Sequence, residues 1–432
     1  MKVYLDSIGC RLNQSEIETM ARQLLANGHE IVGDPSTADK VIINTCTVTR
    51  EAAKDARKMT RRIHRGNKKA GIILTGCYAT VTPGELLPLN GVQQVVGNDH
   101  KERLVQLLDP EAKTALPTFD REPIAREFLA GHTGNTRAFV KVQDGCDNRC
   151  TFCITTIARG AGRSRRFGDV VAEIQALSEA GYQEAVLTGV HMGSYGRDLD
   201  EGVGLGDLVT AILRHTDIAR LRLSSLEPWD ISPGFFELWQ DPRLLPHLHL
   251  PLQSGSDPIL RRMARRTSQV SFQQLAEEAR RCIPQLNLST DIIVGFPGES
   301  GYDFQQSLDY VAKIGFSRLH VFTYSRRPGT AAANMDGQLP KAVKKERARQ
   351  MIALGQELSL NFHEAFVDQT AQVLWETASG ADENGLRWVG YTGNYIRVTA
   401  NGPADLFNRV IPTRLAAARP DGMTGSIVGS GK

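Results

Sequence analysis

The feature that most constrains the fold is a strand–turn–helix pattern that repeats along the first part of the chain, from residue 1 to about 110. Apolar runs alternate there with helical segments at 15–28 and about 49–66. The runs are KVYLDSI (2–8), KVIIN (40–44) and GIILTG (71–76). Since parallel strands need crossover connections, which are usually helices, this alternation predicts a parallel sheet covered by helices. Neither a G-x-G-x-x-G nor a Walker motif occurs there, so nucleotide binding is not indicated.

A second alternating stretch extends from residue 136 to about 330, and a helix over about 339–365 follows it. Six apolar runs occur in this stretch, most of them separated by helical segments such as 169–181. The runs are AFVKVQ (138–143), EAVLT (184–188), RLRLSSL (220–226), HLHLPLQ (247–253), STDIIVG (289–295) and RLHVFTY (318–324). Six such units predict a partial (βα)6 barrel, in which chemistry sits at the carboxyl ends of the strands.

Two changes in character divide the chain further. Pro110, Pro117 and Pro123 interrupt a stretch without periodicity, which predicts a linker. After residue 366, short β runs separated by Gly and Asn turns predict a small antiparallel β-barrel. We therefore expect an α/β protein with an N-terminal domain, a linker, a barrel domain and a small β domain. Their predicted bounds are 1–112, 113–135, 136–365 and 366–432.

The composition is that of a globular protein. Of the 432 residues, 41% are hydrophobic and 23% are charged, which excludes a disordered chain. The sequence has no run of about 18 apolar residues and no N-terminal apolar run of about 7–15 residues, so we expect a cytoplasmic protein without a membrane partner. In reducing cytosol, clustered cysteines suggest metal binding or catalysis rather than disulfides.

One cluster of cysteines, Cys146, Cys150 and Cys153, directly follows the first barrel strand with the spacing C-x3-C-x2-C. A structural zinc site would need a fourth ligand, and no further Cys or His lies nearby. A [4Fe–4S] cluster normally takes four cysteines, so three would leave one iron open. The spacing, with Phe152 before the last cysteine, resembles the radical S-adenosylmethionine (SAM) superfamily, where the open iron binds SAM. The alternative is a structural metal knuckle.

A second set of cysteines, Cys10, Cys46 and Cys77, lies in the N-terminal stretch, each just after a predicted strand. Because the ends of parallel strands meet at one edge of a sheet, these residues could converge. Three separately buried cysteines are the alternative, since Cys is among the most buried residue types. Cys282 lies in a helical stretch outside both sets and is interpreted as a small buried hydrophobe rather than a ligand.

The order of these motifs resembles the methylthiotransferase family over nearly the whole chain. Three N-terminal motifs carry the resemblance: GCRLNQSE (9–16), INTCTV (43–48) and TGCY (75–78). The last segment resembles TRAM, a β-barrel RNA-binding module, most clearly at GYTGNYIRV (390–398). The resemblance implies a flavodoxin-like N-terminal domain, a radical SAM barrel and a TRAM barrel.

The resemblance also implies the insertion of sulfur and a methyl group at an unactivated C–H, which requires a radical from a cofactor. It implies two [4Fe–4S] clusters and SAM. The cluster at Cys146, Cys150 and Cys153 would cleave SAM to methionine and a 5′-deoxyadenosyl radical. The cluster at Cys10, Cys46 and Cys77 would carry the sulfur, which a second SAM would methylate. An electron donor such as flavodoxin or ferredoxin is implied as well.

Within the family, three stretches resemble the subgroup that acts on N6-threonylcarbamoyladenosine (t6A) at position 37, in the anticodon loop of tRNA. The stretches are CITTIARGAGRSR (153–165), LTGVHMGSYG (187–196) and SSLEP (224–228). Related subgroups, which act on isopentenyladenosine in tRNA or on an Asp of a ribosomal protein, are alternatives. An alternative of another class is a non-catalytic iron–sulfur protein that binds RNA or senses redox state.

Candidate contacts for SAM lie at the predicted strand ends, where glycines let backbone amides approach a cofactor. The candidates are Phe152, Gly189, Gly193, Ser225, Glu227, Gln253, Ser254 and Asp291. The alternative is that several of them only form tight turns.

The side chain of t6A carries a carboxylate, whereas isopentenyl is apolar. A t6A pocket should therefore offer an arginine, whose planar fork binds carboxylates bidentately. The candidates are Arg159, Arg163, Arg165 and Arg166 after the cysteine loop, and Arg326 and Arg327 after the sixth strand. Phosphate contact or surface solvation is the alternative role for each.

A basic helix is the strongest candidate for contact with RNA. Residues 50–69 hold nine Lys or Arg and two acids, which favours contact with tRNA phosphates. The candidates there are Arg57, Lys58, Arg61, Arg62 and Arg65, and RRMARR (261–266) is a weaker basic patch. In the small β domain Arg387, Trp388 and Arg397 could form a stacking surface, although Trp388 fits a core position equally well.

Overall fold

We describe a computed structural model of the chain, which covers residues 1–47, 49–110, 112, 136–382 and 385–428. The predicted linker, 113–135, lies outside these residues. No helix in the described part is long and apolar enough to cross a membrane.

The N-terminal part is a five-stranded parallel sheet with helices on both faces, as predicted. Its strands are β1 (Lys2–Ser7), β2 (Glu30–Ile31), β3 (Lys40–Thr45), β4 (Gly71–Gly76) and β5 (Val92–Val96). Its helices are α1 (Arg11–Ala26), α2 (Arg50–Gly66), α3 (Cys77–Val81), α4 (Pro83–Leu86) and α5 (Leu104–Leu108). The strand order β2-β1-β3-β4-β5 is that of flavodoxin-like folds. The two strands that the sequence did not predict are the two-residue β2 and β5, where two glutamines interrupt the apolar pattern.

The alternation of side chains along β3 and β4 fixes how the helices pack. Ile42 and Ile73 face the core formed with α1, whereas Ile43 and Ile72 face the core formed with α2. Because successive side chains of a strand point to opposite faces, an apolar run without polar interruptions produces a strand buried on both sides. All six residues of β4 are buried.

The second part is a run of six parallel strands with helices outside, which confirms the predicted radical SAM-type barrel. Its strands are β6 (Arg137–Asp144), β7 (Arg163–Ser164), β8 (Glu184–Gly189), β9 (Arg220–Leu223), β10 (His247–His249), β11 (Asn287–Val294) and β12 (Arg318–Thr323). Only the short β7 is antiparallel, paired with β6. The sheet is ordered β7-β6-β8-β9, isolated bridges join β9 to β10, and β11 and β12 complete it.

Seven helices accompany these strands, and the core of the protein lies between the two layers. They are α6 (Thr155–Arg159), α7 (Phe167–Glu179), α8 (Leu205–His215), α9 (Asp257–Arg262), α10 (Gln269–Cys282), α11 (Gly301–Ile314) and α12 (Lys341–Glu364). In β10 and the residues after it, Leu248, Leu250 and Leu252 are buried in this core. His247 and His249 alternate with them and so project to the inner face of the barrel.

The third part is a closed five-stranded barrel. Its strands are β13 (Thr370–Asp382), β14 (Gly385–Thr392), β15 (Arg397–Gly402), β16 (Val410–Arg419) and β17 (Gly422–Ile427), in the order β13-β14-β15-β17-β16. The predicted small barrel is confirmed with one difference. β15 and β17 pair in parallel, while the other neighbours are antiparallel.

Tyr395 of the small barrel closes the amino-terminal end of the large one. Its hydroxyl accepts hydrogen bonds from Arg11 and Arg137, both at 2.7 Å. The guanidinium of Arg222 lies 4.4 Å from the ring centroid. Burial raises the pKa of Tyr395, but the surrounding guanidiniums outweigh this and lower it overall. Since Arg11 belongs to the N-terminal part, one side chain joins all three parts of the molecule.

Beside Tyr395, Glu184 is fully buried and paired with two arginines. Its carboxylate accepts hydrogen bonds from Arg220 at 2.9 Å and Arg222 at 2.8 Å. Burial alone would raise the pKa of Glu184, but Arg222 and Arg220 lower it to about 2. The folded state therefore holds the carboxylate ionised at pH values where the unfolded chain protonates it.

We predict that Glu184→Gln removes a pH-dependent part of the stability. In the wild type this part is fully present above the unfolded pKa of about 4.5 and is lost as pH falls toward 2. The free energy of unfolding of the wild type relative to the variant should thus fall by about 2 kcal/mol between pH 6 and pH 3. Urea unfolding at each pH measures it, with the exposed Glu237→Gln as control. A difference that does not change with pH would contradict the prediction.

Candidate metal centre

The cysteines of the N-terminal sheet end three neighbouring strands. Cys10 follows β1, Cys46 follows β3 and Cys77 follows β4, and these strands are adjacent in the sheet. The set therefore lies at the carboxyl edge, beside the β1–β3 junction where the strand order reverses and where such sheets bind ligands. Cys46 and Cys77 are buried, while Cys10 is open to solvent. Cys282, the last residue of α10, is also exposed, so our prediction that it is a buried hydrophobe is wrong.

Two glycines allow the strand ends to approach this closely. Gly9 has φ +133°, and a Cβ there would lie 2.5 Å from Cβ of Cys46. Gly76 has φ +94°, and a Cβ there would lie 2.3 Å from the carbonyl oxygen of Thr45. Each glycine directly precedes a cysteine of the set, so the Gly-Cys pairs at residues 9–10 and 76–77 are the sequence signal for the convergence.

Amide side chains surround the thiols of this set. The thiol of Cys10 lies 3.6 Å from Oδ1 of Asn13. Nδ2 of Asn98 lies 3.7 Å from Sγ of Cys77 and donates to the carbonyl of Ala158 at 2.6 Å. Because Ala158 belongs to α6, just after the barrel cysteines, Asn98 contacts both regions.

Arg159 does not occupy the position that we predicted from the sequence. Its Nη1 lies 2.9 Å from Oε1 of Glu16 and 2.9 Å from Oδ1 of Asp144. Its Nη2 donates to Oδ1 of Asn13 at 3.0 Å, and the side chain is only 3% exposed. The fork is filled by carboxylates of the protein itself, so our prediction that Arg159 receives a substrate carboxylate is wrong.

The barrel cysteines lie in the loop after β6, and each thiol has a nitrogen donor nearby. The backbone N–H of Asn148 lies 3.4 Å from Sγ of Cys146, and that of Thr155 lies 3.4 Å from Sγ of Cys153. Among the described residues no three His, Cys, Asp or Glu side chains are placed to hold one metal ion. A [4Fe–4S] cluster binds each cysteine through a different iron, so its ligands need not surround a single metal ion.

Arg265 lies beside Cys150 and was not singled out from the sequence. Its Nη1 is 3.8 Å from Sγ of Cys150, and its Nη2 donates to Oε2 of Glu227 at 2.6 Å. The guanidinium also stacks 4.4 Å from the ring of Trp229. The side chain is buried, and its Nε has no partner among the described residues. The only sequence signal was its place in the basic stretch 261–266.

His191 supplies a second cation at the barrel cysteines. Its Nε2 lies 2.5 Å from Oδ2 of Asp230, and Arg197 holds the other oxygen at 2.6 Å. Burial lowers the pKa of His191, but Asp230 and Cys146 raise it to about 9. Gly193 packs closely here, because a Cβ at this position would lie 2.4 Å from Cβ of Asp230.

The predicted SAM contacts lie in several environments. Ser225 is exposed after β9 and pairs with His249 of β10. The backbone N–H of Gln253, a residue with φ +75°, donates to the carbonyl of Asp291 at 2.8 Å. Together with Glu227, these residues follow or lie on the neighbouring strands β9, β10 and β11, so their role as SAM contacts stays a prediction.

The remaining candidates are engaged within the protein. Phe152 packs on the apolar cluster that contains Phe296 and Tyr324. A Cβ at Gly189 would lie 2.8 Å from Cγ of Met192. Ser254 is buried with its hydroxyl 3.3 Å from that of Ser307 on α11. Ser254 therefore contacts a helix of the outer layer.

The other predicted substrate arginines separate into buried and exposed groups. Arg165 is 1% exposed and donates to Glu173 at 2.6 Å, so our prediction of a substrate contact there is wrong. Arg163, Arg166 and Arg326 are exposed. The loop after β12, which carries Arg326, is fixed to the cysteine loop by the hydrogen bond from N–H of Ala332 to the carbonyl of Thr151 at 2.8 Å.

The residues predicted to contact RNA fall into two groups, those that are accessible and those that contact other parts of the protein. Lys58, Arg61, Arg62 and Arg65 line an open groove of about 1140 Å³ along α2. Arg57 instead contacts Tyr78 and Glu85 within the protein. In the small barrel Arg387 is exposed and Arg397 is half-buried. Trp388 is 4% exposed and belongs to the barrel core, so our prediction that it stacks on RNA is wrong.

Family models match both the barrel and the N-terminal sheet. Residues 140–311 match the Radical SAM superfamily, and residues 2–97 match Uncharacterized protein family UPF0004. The radical SAM methyltransferase TsrM from Kitasatospora setae has the same fold, with a TM-score of 0.58 at 15% identity over 77% of this chain and 75% of that one. The barrel and its cysteine loop therefore define a radical SAM protein, a class that implies a [4Fe–4S] cluster and SAM.

Two curated relatives extend over nearly the whole chain. One is the Threonylcarbamoyladenosine tRNA methylthiotransferase MtaB of Bacillus subtilis, 35% identical over 96% of this chain and 94% of its own length. Another is the tRNA-2-methylthio-N(6)-dimethylallyladenosine synthase of Geobacillus thermodenitrificans, 32% identical over 99% and 83%. The chain belongs to the methylthiotransferase family of radical SAM proteins.

We predict that Gly9→Ala destabilises the N-terminal part by more than backbone strain alone, because its methyl group would collide with Cys46. The control Gly28→Ala also has a positive φ, +76°, but a Cβ there meets nothing within 4 Å. Gly9→Ala should lose about 1–3 kcal/mol more than the control. Urea unfolding of the reduced, cluster-free protein measures this difference, and equal losses would contradict the close approach.

Proposed function

We propose that the protein is a tRNA methylthiotransferase that converts t6A at position 37 to 2-methylthio-t6A. The observation that supports the proposal most directly is that the two cysteine-bearing regions are held together. Arg159, on the helix that follows the barrel cysteines, contacts Glu16 of α1 and Asp144 of β6, both at 2.9 Å. The name of the relatives at 35–36% identity supports t6A as the substrate.

Both sets of thiols fit a cluster that keeps one iron free of protein ligands. Cys146, Cys150 and Cys153 would hold the cluster that binds SAM, and Cys10, Cys46 and Cys77 a second cluster that carries sulfur. When bound, the first cluster and SAM supply radical chemistry for an unactivated C–H. In the net change C2–H of adenine becomes C2–S–CH3. The C2 hydrogen would leave in 5′-deoxyadenosine, sulfide-level sulfur held at the second cysteine set would bond to C2, and a second SAM would give the methyl group. The electron released when the C–S bond forms would pass to the iron held at that set, and a donor such as flavodoxin or ferredoxin would supply the electron for SAM cleavage.

The residues around the barrel cysteines prepare this site. Arg265 lies beside the thiol of Cys150, and His191 lies beside the thiol of Cys146. Burial raises the pKa of the Cys150 thiol, and the positive charge of Arg265 opposes this rise. Arg265 also fixes the carboxylate of Glu227 at 2.6 Å. The unpartnered Nε of Arg265 is available to an acceptor on a bound ligand.

The substrate-facing side of the site is basic. Arg326 is exposed on a loop that is hydrogen-bonded to the cysteine loop. Arg163 is exposed on β7, which pairs with the end of β6 directly before the cysteine loop. A guanidinium in this place suits the threonyl carboxylate of t6A and offers nothing to an isopentenyl group. The groove along α2 adds four cations for the tRNA backbone.

We predict that total tRNA from a strain lacking this gene contains no 2-methylthio-t6A and accumulates t6A. Mass spectrometry of nucleosides measures both. Complementation with the wild-type gene should restore the product, and a gene carrying Cys150→Ala should not. Unchanged 2-methylthio-t6A would contradict the substrate. Loss of 2-methylthio-isopentenyladenosine, or an unmodified Asp in a ribosomal protein, would then identify one of the alternative substrates.

We predict that removing both exposed arginines, in the double variant Arg163→Ala/Arg326→Ala, weakens recognition of t6A. Loss of a charge-assisted contact of about 1.5–3 kcal/mol should lower kcat/KM for tRNA bearing t6A by about 10- to 100-fold. Arg349→Ala, at an exposed position on α12, is the matched control. If both variants turn over the tRNA at the wild-type rate, these arginines do not bind the carboxylate.

A further inference from the structure

We infer that Arg159 is a positioning residue that fixes the separation of the two cysteine sets, so that SAM cleavage stays coupled to product formation only while its ion pairs are intact. The inference rests on the proposed function, since only that function uses both sets together. It replaces the substrate contact that we expected of this residue.

Arg159 holds the segments that carry the cysteines of both sets. It ends α6, which begins two residues after Cys153. Its partner Glu16 lies in α1, which begins directly after Cys10. Its other partner, Asp144, ends β6 two residues before Cys146. One guanidinium, with both pairs at 2.9 Å, therefore ties three of the ligand-bearing segments together.

Neighbouring contacts extend this tie to Cys77. Asn98 donates to the carbonyl of Ala158, the residue before Arg159, and its amide lies 3.7 Å from Sγ of Cys77. Asn13 accepts from Arg159 and also contacts the thiol of Cys10. Through these two amides, Ala158 and Arg159, which follow the barrel cysteines, are linked to the thiols of Cys10 and Cys77 in the N-terminal sheet.

The charges in this network suit an anionic centre. Glu16 pairs with Lys101 at 2.7 Å, and Lys141 lies 4.0 Å from Glu16 and 3.6 Å from Asp144. With Arg159, three cations face two carboxylates, which leaves one positive charge in excess. A cluster held by thiolates is anionic, so this excess stabilises it in a region with little water. Burial raises the pKa of Glu16, but Arg159 and Lys101 lower it well below its usual range, so the carboxylate stays ionised.

Lysine cannot replace the arginine in this geometry. Nη1 of Arg159 contacts both carboxylates, while Nη2 donates to Asn13 at 3.0 Å and lies 3.4 Å from Oε2 of Glu16. An ammonium offers a single nitrogen on a flexible stem and cannot make both sets of contacts. Arg159→Lys therefore keeps the charge and loses the Nη2 contacts to Asn13 and Glu16, which hold α1 against the end of α6. We expect the segments to move relative to each other while each cysteine set still binds its cluster.

The test compares wild-type protein, Arg159→Lys and the matched control Arg243→Lys, all full-length and reconstituted anaerobically with iron and sulfide. Arg243 also grips one aspartate, Asp241, through two nitrogens, at 3.1 and 2.8 Å, and lies outside both sets. Three quantities are measured: iron per chain, the spin–spin broadening between the reduced clusters by electron paramagnetic resonance, and the ratio of 5′-deoxyadenosine to methylthiolated nucleoside.

Arg159→Lys should retain about eight irons per chain. Its spin–spin broadening should differ from that of the wild type, and its ratio of 5′-deoxyadenosine to product should rise at least about tenfold, equivalent to 1.4 kcal/mol of lost coupling. Arg243→Lys should match the wild type in all three quantities. If Arg159→Lys keeps the wild-type broadening and ratio, the inference is overturned. A raised KM for t6A-tRNA with an unchanged ratio would also overturn it, because it would identify a substrate contact.

Two further results separate the inference from the function on which it rests. A wild-type protein with about four irons, or with no methylthiolated product, would refute the proposed function itself. If Arg159→Lys fails to load its clusters, hydrogen exchange on the cluster-free full-length chain decides. Faster exchange than wild type in 11–16 and 155–159 supports the inference, and unchanged exchange overturns it.

Discussion

The constraint on which this molecule depends is that parallel strands bring all their carboxyl ends to one edge of a sheet. The N-terminal sheet uses it to collect Cys10, Cys46 and Cys77 from three adjacent strands, and the barrel uses it to present its cysteine loop above the strand ends. Residues far apart in the sequence meet without a long loop having to be ordered. Folding of the sheets already orders the backbone at each site, so little further conformational entropy is lost when the site forms.

Buried ion pairs lie at two junctions between the parts of the molecule. Glu16 and Asp144 surround Arg159 at one junction, and at another Glu184 lies between Arg220 and Arg222. A buried ion pair contributes little net stability, since desolvation offsets most of its Coulomb energy, but losing one partner is costly. Such junctions therefore disfavour other placements of the parts, in which a charge would be buried without its partner, while they add little to the free energy of folding.

Much of this architecture could be predicted from the sequence, because long apolar runs have only one way to be buried. The three strands of the N-terminal sheet that carry cysteines and all six parallel strands of the barrel were predicted within a few residues. The edge strands were not: β5 carries two glutamines, and β2 is two residues long. For the site, the cysteines were visible in the sequence by spacing and strand position. The roles of Arg159 and Arg265 were not, because Glu16 and Glu227, which pair with them, are 143 and 38 residues away in the sequence.

Tyr395 gives the small barrel a structural role in the large barrel that its sequence did not indicate. Its hydroxyl and ring sit among Arg11, Arg137 and Arg222, so the loop that carries it forms the floor of the large barrel. A barrel of this kind is not an interchangeable module. Grafting a different β-barrel onto residue 365 would leave the guanidiniums of Arg11, Arg137 and Arg222 facing one another without the phenol of Tyr395. An engineered exchange would therefore have to keep the loop that carries Tyr395, or replace Arg11, Arg137 and Arg222 as well.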